Sequence, residues 1–252
     1  MDICYDLLID ISMYLSSKEL YCLSSTKKSY NKLVWYLNNL KAICGQRILN
    51  FRYIKSLRIS SYHDCELDVS LLTALTELNI GYRVTVKGYN NLTKLSLYTD
   101  EKVQCIPLTL TSLSLGMHQK VYNLDHLTNL TYLDLSINQY VRDITKLTSL
   151  KTLKLLANYQ IENIATLTQL TELDLTCNCR VESIPSLLQL RKLNLCSNKV
   201  ILSIPYLPKL EELNLMHNKV INDISHLTNL KKVIRYNDEG IKLPAGITVY
   251  ND

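Results

Sequence analysis

Thiol groups are the side chains of this sequence with the greatest potential for chemistry. Three of the eight cysteines fall close together, at Cys177, Cys179 and Cys196. A closed zinc site normally has four ligands, and no fourth ligand accompanies these thiols at a recognisable spacing. Small residues are also common in turns, so the pattern predicts turn cysteines and no metal site.

The other reactive residues show no catalytic arrangement. His118 occupies a turn position, and the remaining histidines have no paired serine or cysteine in a recognisable motif. The sequence has no glycine-rich phosphate loop, no H-E-x-x-H pair and no G-x-S-x-G nucleophile elbow. We therefore predict a chain that is not an enzyme and that has no catalytic residue, no metal and no cofactor.

A twenty-residue repeat occupies most of the chain. Residues 127–146 read LTNLTYLDLSINQYVRDITK, and the same leucines return in each following unit without a slip. In Leu-x-Leu, both leucines point to one side of a short strand. The chain then turns out of the strand, where an asparagine amide can bond to unpaired backbone groups. This structural ladder is predicted at Asn138, Asn158, Asn178, Asn198 and Asn218.

The same register continues upstream with looser spacing. The strand leucines Leu57, Leu78, Leu95 and Leu113 are separated by 21, 17 and 18 residues, and the asparagine position nearest the regular units is taken by His118. We predict about ten repeats within residues 46–237. Residues 238–252 are predicted to add a closing strand over the last core face.

This pattern resembles the leucine-rich-repeat family, L-x-x-L-x-L-x-x-N, over about three quarters of the chain. The resemblance implies an α/β solenoid with a concave parallel β-sheet. Twenty residues leave too little chain for a long helix, so turns or brief 3₁₀ segments are expected on the convex side. Proteins of this kind bind partners on the concave face.

The variable positions beside the strand leucines are the candidates for that binding. Glu172, Lys192, Glu212 and Lys232 fall in one column, which is either a stabilising cross-strand charge ladder or a means of steering a partner. Apolar and aromatic residues at other outward positions could form a partner footprint. The predicted partner-binding residues are Tyr98, Met117, Tyr132, Asp134, Ile137, Lys154, Leu156, Glu172, Asp174, Lys192, Glu212, Met216 and His217.

Residues 1–45 follow a different rhythm. Their apolar residues recur every three or four positions, which is a helical spacing. Ser16 and Glu19 form a capping box for a second helix, and Thr26 could cap a third. We predict a module of three short amphipathic helices.

This module resembles an F-box. Asp6–Leu8 stand for E-L-L and Glu19-Leu20 stand for D-L, whereas Ile3-Cys4 replace Leu-Pro and Thr26-Lys27 replace V-C. The resemblance implies docking to a Skp-type adaptor of a cullin ubiquitin ligase. The adaptor-binding residues would be Leu7, Leu8, Ile11, Leu15, Leu20 and Leu23. The alternative is a helical cap that only seals the first repeat.

Composition and charge restrict the type of partner and the location that we predict for the chain. The chain has 252 residues, 47% of them hydrophobic, and a net charge of +5. The basic excess lies in residues 18–58, but aromatic residues are sparse there, so nucleic acid is an unlikely partner. An acidic start and scattered cysteines indicate no export and a cytoplasmic location, and apolar runs that are interrupted by Asp or Lys indicate no membrane segment. The Asn-, Ile-, Lys- and Tyr-rich composition is similar to that of repeat proteins from large DNA viruses of protists, for which the location would be the host cytoplasm.

Together these features predict a monomeric substrate receptor. The helical module would dock the adaptor, and the concave face would hold an unidentified target protein. The alternative is a plain interaction scaffold of the same fold.

Overall fold

The computed structural model describes residues 32–37, 55–61, 65–70, 72–81, 84–89, 91–98, 106–235 and 240–250. The chain divides into two units, Met1–Leu110 and Thr111–Asp252. Both units are built from short parallel strands, and the predicted leucine-rich repeats occur in each.

The first unit contains two parallel sheets. Leu57, Leu78 and Leu95 face one another in register across neighbouring strands of the larger sheet. In two of these repeats the chain forms a second strand after leaving the larger sheet. These two additional strands pair with each other in a second, smaller sheet. The strands are β1 (Lys32–Leu37), β2 (Ser56–Ser61), β3 (Cys65–Asp68), β4 (Glu77–Ile80), β5 (Val84–Lys87) and β6 (Lys94–Leu97); β1, β2, β4 and β6 form the larger sheet, and β3 and β5 the smaller.

Strand β1 corrects the prediction for the end of the helical module. The sequence predicted a third helix through Lys32–Leu37, but this segment is a strand that pairs in parallel with β2. Its sequence, KLVWYL, is rich in β-branched and aromatic residues, which favour strands, and the edge of β2 offers backbone partners that a helix cannot use. The predicted adaptor-binding residues Leu7, Leu8, Ile11, Leu15, Leu20 and Leu23 lie outside the described residues.

The second unit is one ladder of parallel strands in chain order. From β7 to β13 each strand begins twenty residues after the previous one, and the core residues pair in register, for example Leu133 with Leu153. The strands are β7 (Ser112–Leu115), β8 (Tyr132–Asp134), β9 (Thr152–Lys154), β10 (Glu172–Asp174), β11 (Lys192–Asn194), β12 (Glu212–Asn214), β13 (Lys232–Ile234) and β14 (Thr248–Tyr250). Strand β14 pairs with β13 and lies in the predicted closing segment.

The repeated leucines form the core of the second unit. Leu133, Leu153 and Leu155 are fully buried, as are the leucines that open each repeat. Burying a leucine side chain stabilises the fold by about 1.5–3 kcal/mol. The chain returns through tight turns: the Leu147 N–H donates to Ile144 O at 3.0 Å and the Leu150 N–H to Leu147 O at 3.1 Å. The prediction of turns opposite the sheet is therefore confirmed.

Buried asparagines join each repeat to the one before it. In the repeat of β9, Asn158 Nδ2 donates to Leu135 O at 2.9 Å and to Asn138 O at 3.1 Å. Its Oδ1 accepts the N–H groups of Gln160 at 2.9 Å and Ile161 at 3.0 Å. Asn178, Asn198 and Asn218 make the equivalent bonds one repeat further on. Each asparagine thus satisfies backbone groups that no strand pairs.

At the start of the ladder, the asparagine position that was predicted at His118 is taken by the next residue, Gln119. Asn138 Nδ2 donates to Gly116 O at 3.0 Å and to Gln119 O at 3.3 Å. Gln119 is fully buried, whereas His118 is exposed. Gly116 and Gln119 lie three and six residues after Leu113, whereas Leu135 and Asn138 lie two and five residues after Leu133, so the turn after β7 is one residue longer than the turn after β8.

Candidate protein-binding face

The side of the second unit's sheet opposite the leucine core carries the candidate site, which we call the open face. On each strand from β8 to β13 the central residue is buried in the core and its two neighbours lie on the open face. Across β9–β13 this face forms a groove of about 230 Å³. Its outward lining residues are Thr152, Lys154, Glu172, Asp174, Lys192, Asn194, Glu212, Asn214, Lys232 and Ile234.

The predicted charge column lies in one row of the open face. Glu172, Lys192, Glu212 and Lys232 are consecutive partners in the strand register. Lys192 Nζ lies 3.2 Å from Glu212 Oε1. The hydrogen bond to Glu212, followed by the charges of Glu212 and Glu172, raises the pKa of Lys192. Because both side chains are about half exposed, solvent screens this pair and it contributes little to stability.

A second set of ion pairs joins the residues that immediately precede β11, β12 and β13. Glu211 pairs with Arg191 and, at 2.8 Å, with Lys231. The hydrogen bond from Lys231 is the main cause of the lowered pKa of Glu211. Glu211 is thus engaged by basic groups from both neighbouring repeats, which leaves the charges beside the start of β12 locally balanced.

Carboxylates and amides in the other row of the open face are bound to their own turns. Asp174 Oδ1 accepts the Thr176 N–H at 2.9 Å, and Asp134 Oδ1 accepts the Ser136 N–H at 2.9 Å. Asn194 and Asn214 accept the N–H two residues later in the same way. Asp134 and Asp174 were predicted to bind a partner, whereas their hydrogen bonds to the N–H groups of their own turns were not predicted. The available signal was an Asp or Asn at the third residue of the strand, where its side chain can accept the N–H two residues later.

Lys154 is the basic residue within that row. It lies in register between Asp134 and Asp174, and its Nζ is 5.7 Å from the centre of the Tyr132 ring. Partial burial would lower the pKa of Lys154, but Tyr132 and the two aspartates outweigh it, so the pKa is raised. Lys154 therefore carries a positive charge that is held in position on the face.

The predicted apolar residues do not form one continuous patch. Leu156 and Met216 share a row of the second unit, but Thr176 and Cys196 lie between them. Tyr98, 45% exposed, belongs to the first unit. The exposed Met117 lies in the turn after β7.

The remaining predicted residues, Ile137 and His217, belong to a row with left-handed backbone. Ile137 has φ of 63°, and every later residue that precedes a ladder asparagine is also left-handed. This conformation is costly for a β-branched side chain. It is offset by backbone bonding to the next repeat, since the Ile137 N–H donates to Leu156 O at 2.8 Å. The other residues of this row are Ala157, Cys177, Ser197 and His217.

In the described ranges, no group of three or more His, Cys, Asp or Glu residues is placed to hold a metal ion. The same residues include no helix with the length and apolar character needed to cross a membrane.

The repeats, the parallel ladder and the buried asparagines define a leucine-rich-repeat solenoid. Among solved structures, the chain is similar to the functional domain of InlJ from Listeria monocytogenes, a domain said to include a cysteine ladder. The identity is 20% over 82% of this chain and 60% of that chain, and the TM-score is 0.53. This likeness supports the fold alone.

Two further structures have lower similarity scores. An internalin, InlF, from Listeria monocytogenes str. 4b F2365 is 20% identical over 93% of this chain and 88% of its own, with a TM-score of 0.49. A leucine-rich-repeat protein of Leptospira interrogans is 18% identical over 79% of this chain and 76% of its own, with a TM-score of 0.41. No family of protein sequences and no curated protein matches the chain.

Proposed function

We propose that this protein is a non-enzymatic interaction protein that binds a protein partner on the open face of β8–β14. The observation that carries the proposal is the division of labour within each repeat. The leucines and ladder asparagines are buried, while the residues on the open face differ from strand to strand. Variation on a fixed scaffold is what partner recognition requires.

The open face has a chemistry suited to a folded protein. Its charges alternate in sign over short distances, so a partner must present a matching arrangement rather than a single net charge. Lys154 at the β9 end of the groove and Lys192 on its central strand, β11, supply two positioned cations.

The proposal is tested by comparing two double variants of the full chain. Lys154→Glu with Lys192→Glu reverses charges in the groove, whereas Lys146→Glu with Lys209→Glu makes the same change at exposed positions outside the groove. Proteins captured from an extract of the source cells are quantified for both variants and the unmodified chain. We expect the groove variant to lose its partner at least tenfold, with the control unchanged. Equal capture by all three chains would contradict the proposal.

The finer proposal is a substrate receptor of a cullin-type ubiquitin ligase. Its support is the F-box resemblance around Asp6–Leu8 and Glu19-Leu20. It competes with a plain scaffold in which the amino-terminal segment only seals the repeats. A cytoplasmic location would suit either role.

Binding to a purified Skp-type adaptor separates these two roles. The full chain is compared with the variant Leu7→Asp, Leu8→Asp. The matched control is Leu188→Asp with Leu202→Asp, two leucines that are 53% and 70% exposed in the second unit. The receptor role predicts binding by the unmodified chain and the control, and loss in the first variant. If the unmodified chain does not bind, the scaffold role stands.

A further inference from the structure

Two cysteines from consecutive repeats are neighbours at the edge of the open face. The Cys177 N–H donates to Cys196 O at 2.9 Å, which continues the pairing of β10 with β11. Neighbouring strands lie about 4.8 Å apart, and the α-carbons of a disulfide usually lie about 4.4–6.8 Å apart. The register places Cys177 opposite Ser197 and diagonal to Cys196, and the bond from the Cys177 N–H to Cys196 O keeps this diagonal pair of backbones close enough for a disulfide.

Both thiols lie on the outer side of the chain. Leu195 and Asn198 are buried on either side of the Cys196–Ser197 pair, while Cys196 is half-buried and Cys177 is exposed. Cys196 Sγ lies 3.8 Å from Ser197 Oγ. Ser197 holds in its repeat the left-handed position that Cys177 holds in the previous one. The Cys196 thiol thus lies beside the row that contains Cys177.

The third nearby thiol, Cys179, is separated from Cys177 by the ladder. Asn178 lies between them, and its Oδ1 accepts the N–H groups of Arg180 at 3.0 Å and Val181 at 2.9 Å. A bond from Cys177 to Cys179 would have to reshape this turn and break those hydrogen bonds. A bond from Cys177 to Cys196 crosses between repeats on the outer side and leaves them intact.

We propose that Cys177 and Cys196 form a reversible oxidation site whose co-reactant is a small disulfide such as oxidised glutathione. The more exposed Cys177 attacks as the thiolate, breaks the glutathione disulfide and releases one glutathione thiol. The Cys196 thiolate then attacks the Cys177 sulfur of the mixed disulfide and releases the second glutathione. Two protein thiols are oxidised and one disulfide is reduced to two thiols, so electrons and protons balance. This site does not depend on the proposed partner binding.

The cross-link would tie two repeats together at the open face. Joining residues 177 and 196 closes a short loop, which restricts the unfolded chain. We expect the oxidised protein to melt several degrees higher than the reduced protein and to return to the reduced value after dithiothreitol.

The test uses the full reduced chain incubated with oxidised glutathione. Remaining thiols are alkylated, the protein is digested, and the peptides are identified by mass spectrometry. We expect a Cys177–Cys196 cross-linked peptide that disappears in Cys177→Ser and persists in the matched control Cys179→Ser. In Cys196→Ser the reaction should stop at a glutathione adduct on Cys177.

Three results would overturn the proposal. They are glutathione adducts on both cysteines of the unmodified chain without a cross-link, a cross-link that runs through Cys179, and no modification of either thiol. The melting shift of the unmodified chain supplies a second readout that needs no variant. A cross-linked peptide without the reversible shift would contradict the structural consequence.

Discussion

In the first unit, the chain that leaves β2 and β4 enters the second strands β3 and β5, whereas in the second unit it enters a turn held by an asparagine. Both arrangements serve backbone groups that would otherwise be buried without partners. Strands β3 and β5 pair through four residues each, from Cys65 with Val84 to Asp68 with Lys87. In the second unit a single buried amide makes four hydrogen bonds instead.

The two units differ in sequence regularity because one uses paired strands and the other uses an asparagine ladder. An asparagine ladder works only when each amide reaches the carbonyls of the previous turn, so the repeats must keep one length. A pair of strands can pair over any loop that brings them together. Spacings of 17 and 21 residues are therefore tolerated in the first unit, while the second unit keeps twenty.

The largest expected effect comes from removing one amide of the ladder. Asn178→Ala would leave Asn158 O and the N–H groups of Arg180 and Val181 without their partner, while Leu155 O would keep only the Asn158 N–H. An unsatisfied buried group costs about 1–3 kcal/mol, so we expect a loss of about 3 kcal/mol or more in the free energy of unfolding by urea.

The matched control for that variant is Asn129→Ala, because Asn129 is exposed in the same unit. It should change stability by less than about 0.5 kcal/mol. If Asn178→Ala cost as little as its control, the amide would not be replacing a second sheet.

A smaller effect is expected at the glycine beside the second sheet of the first unit. Gly88 has φ of +80°, and an added Cβ would lie 2.7 Å from Ser70 N and from Asp68 Oδ1. Gly246 in the second unit has φ of +77° with nothing within 4 Å of that position. Left-handed alanine alone costs about 1–2 kcal/mol.

Gly88→Ala should therefore destabilise more than Gly246→Ala, by about 1 kcal/mol or more beyond the shared conformational cost. Thermal unfolding of the two full-length variants followed by circular dichroism measures the difference. Equal losses would show that the approach of β3 to β5 can relax, and that the second sheet is less constrained than the ladder.

The smallest expected effect is on how the stability of the fold depends on pH. Asp143 Oδ1 accepts the Thr145 N–H at 2.8 Å and hydroxyl at 2.7 Å, and this backbone bond is the main cause of its lowered pKa. Asp68 in the first unit is bound in the same way to Ser70, which lowers its pKa too. A pKa below the ordinary 3.8 means that the stabilisation is present above about pH 4 and is lost as the pH falls through the folded-state value.

Asp143→Ala should cost less than about 1 kcal/mol at pH 7, since the carboxylate is exposed. The difference from the unmodified chain should shrink as the pH is lowered from 5 to about 3. Urea unfolding across this range measures it, with Asp125→Ala as an exposed control in the same unit. A difference that grows on acidification would have the wrong sign for this interaction.

Much of the fold could be read from the sequence because one constraint is repeated many times. Leu133 and its equivalents in later repeats specify strand, register and core together, and each of these first leucines lies in a strand. Asn158 could be placed because a buried amide at that position has a definite task. Where the constraint is not repeated, prediction failed: β1, the pairing of β3 with β5, and the longer turn that buries Gln119 each occur in one place.

The candidate site was harder to predict because exposure alone does not tell binding from local bonding. Glu172 and Lys192 were placed correctly in one row. Asp134 and Asp174 were assigned to partner binding, although their carboxylates accept N–H groups of their own turns. The left-handed backbone at Ile137 could not be anticipated, since the residue type argues against it.

The ladder also sets a rule for how such a chain can change length. Outside their own turn, Asn158, Asn178, Asn198 and Asn218 each donate only to carbonyls of the repeat before them, and always in the same way. Deleting or duplicating one whole repeat joins repeats whose hydrogen-bonding groups still match. Deleting a single residue instead shifts the register, so that an amide no longer faces its carbonyls. Gene duplication in steps of twenty codons could therefore lengthen or shorten the binding face without redesigning its interior.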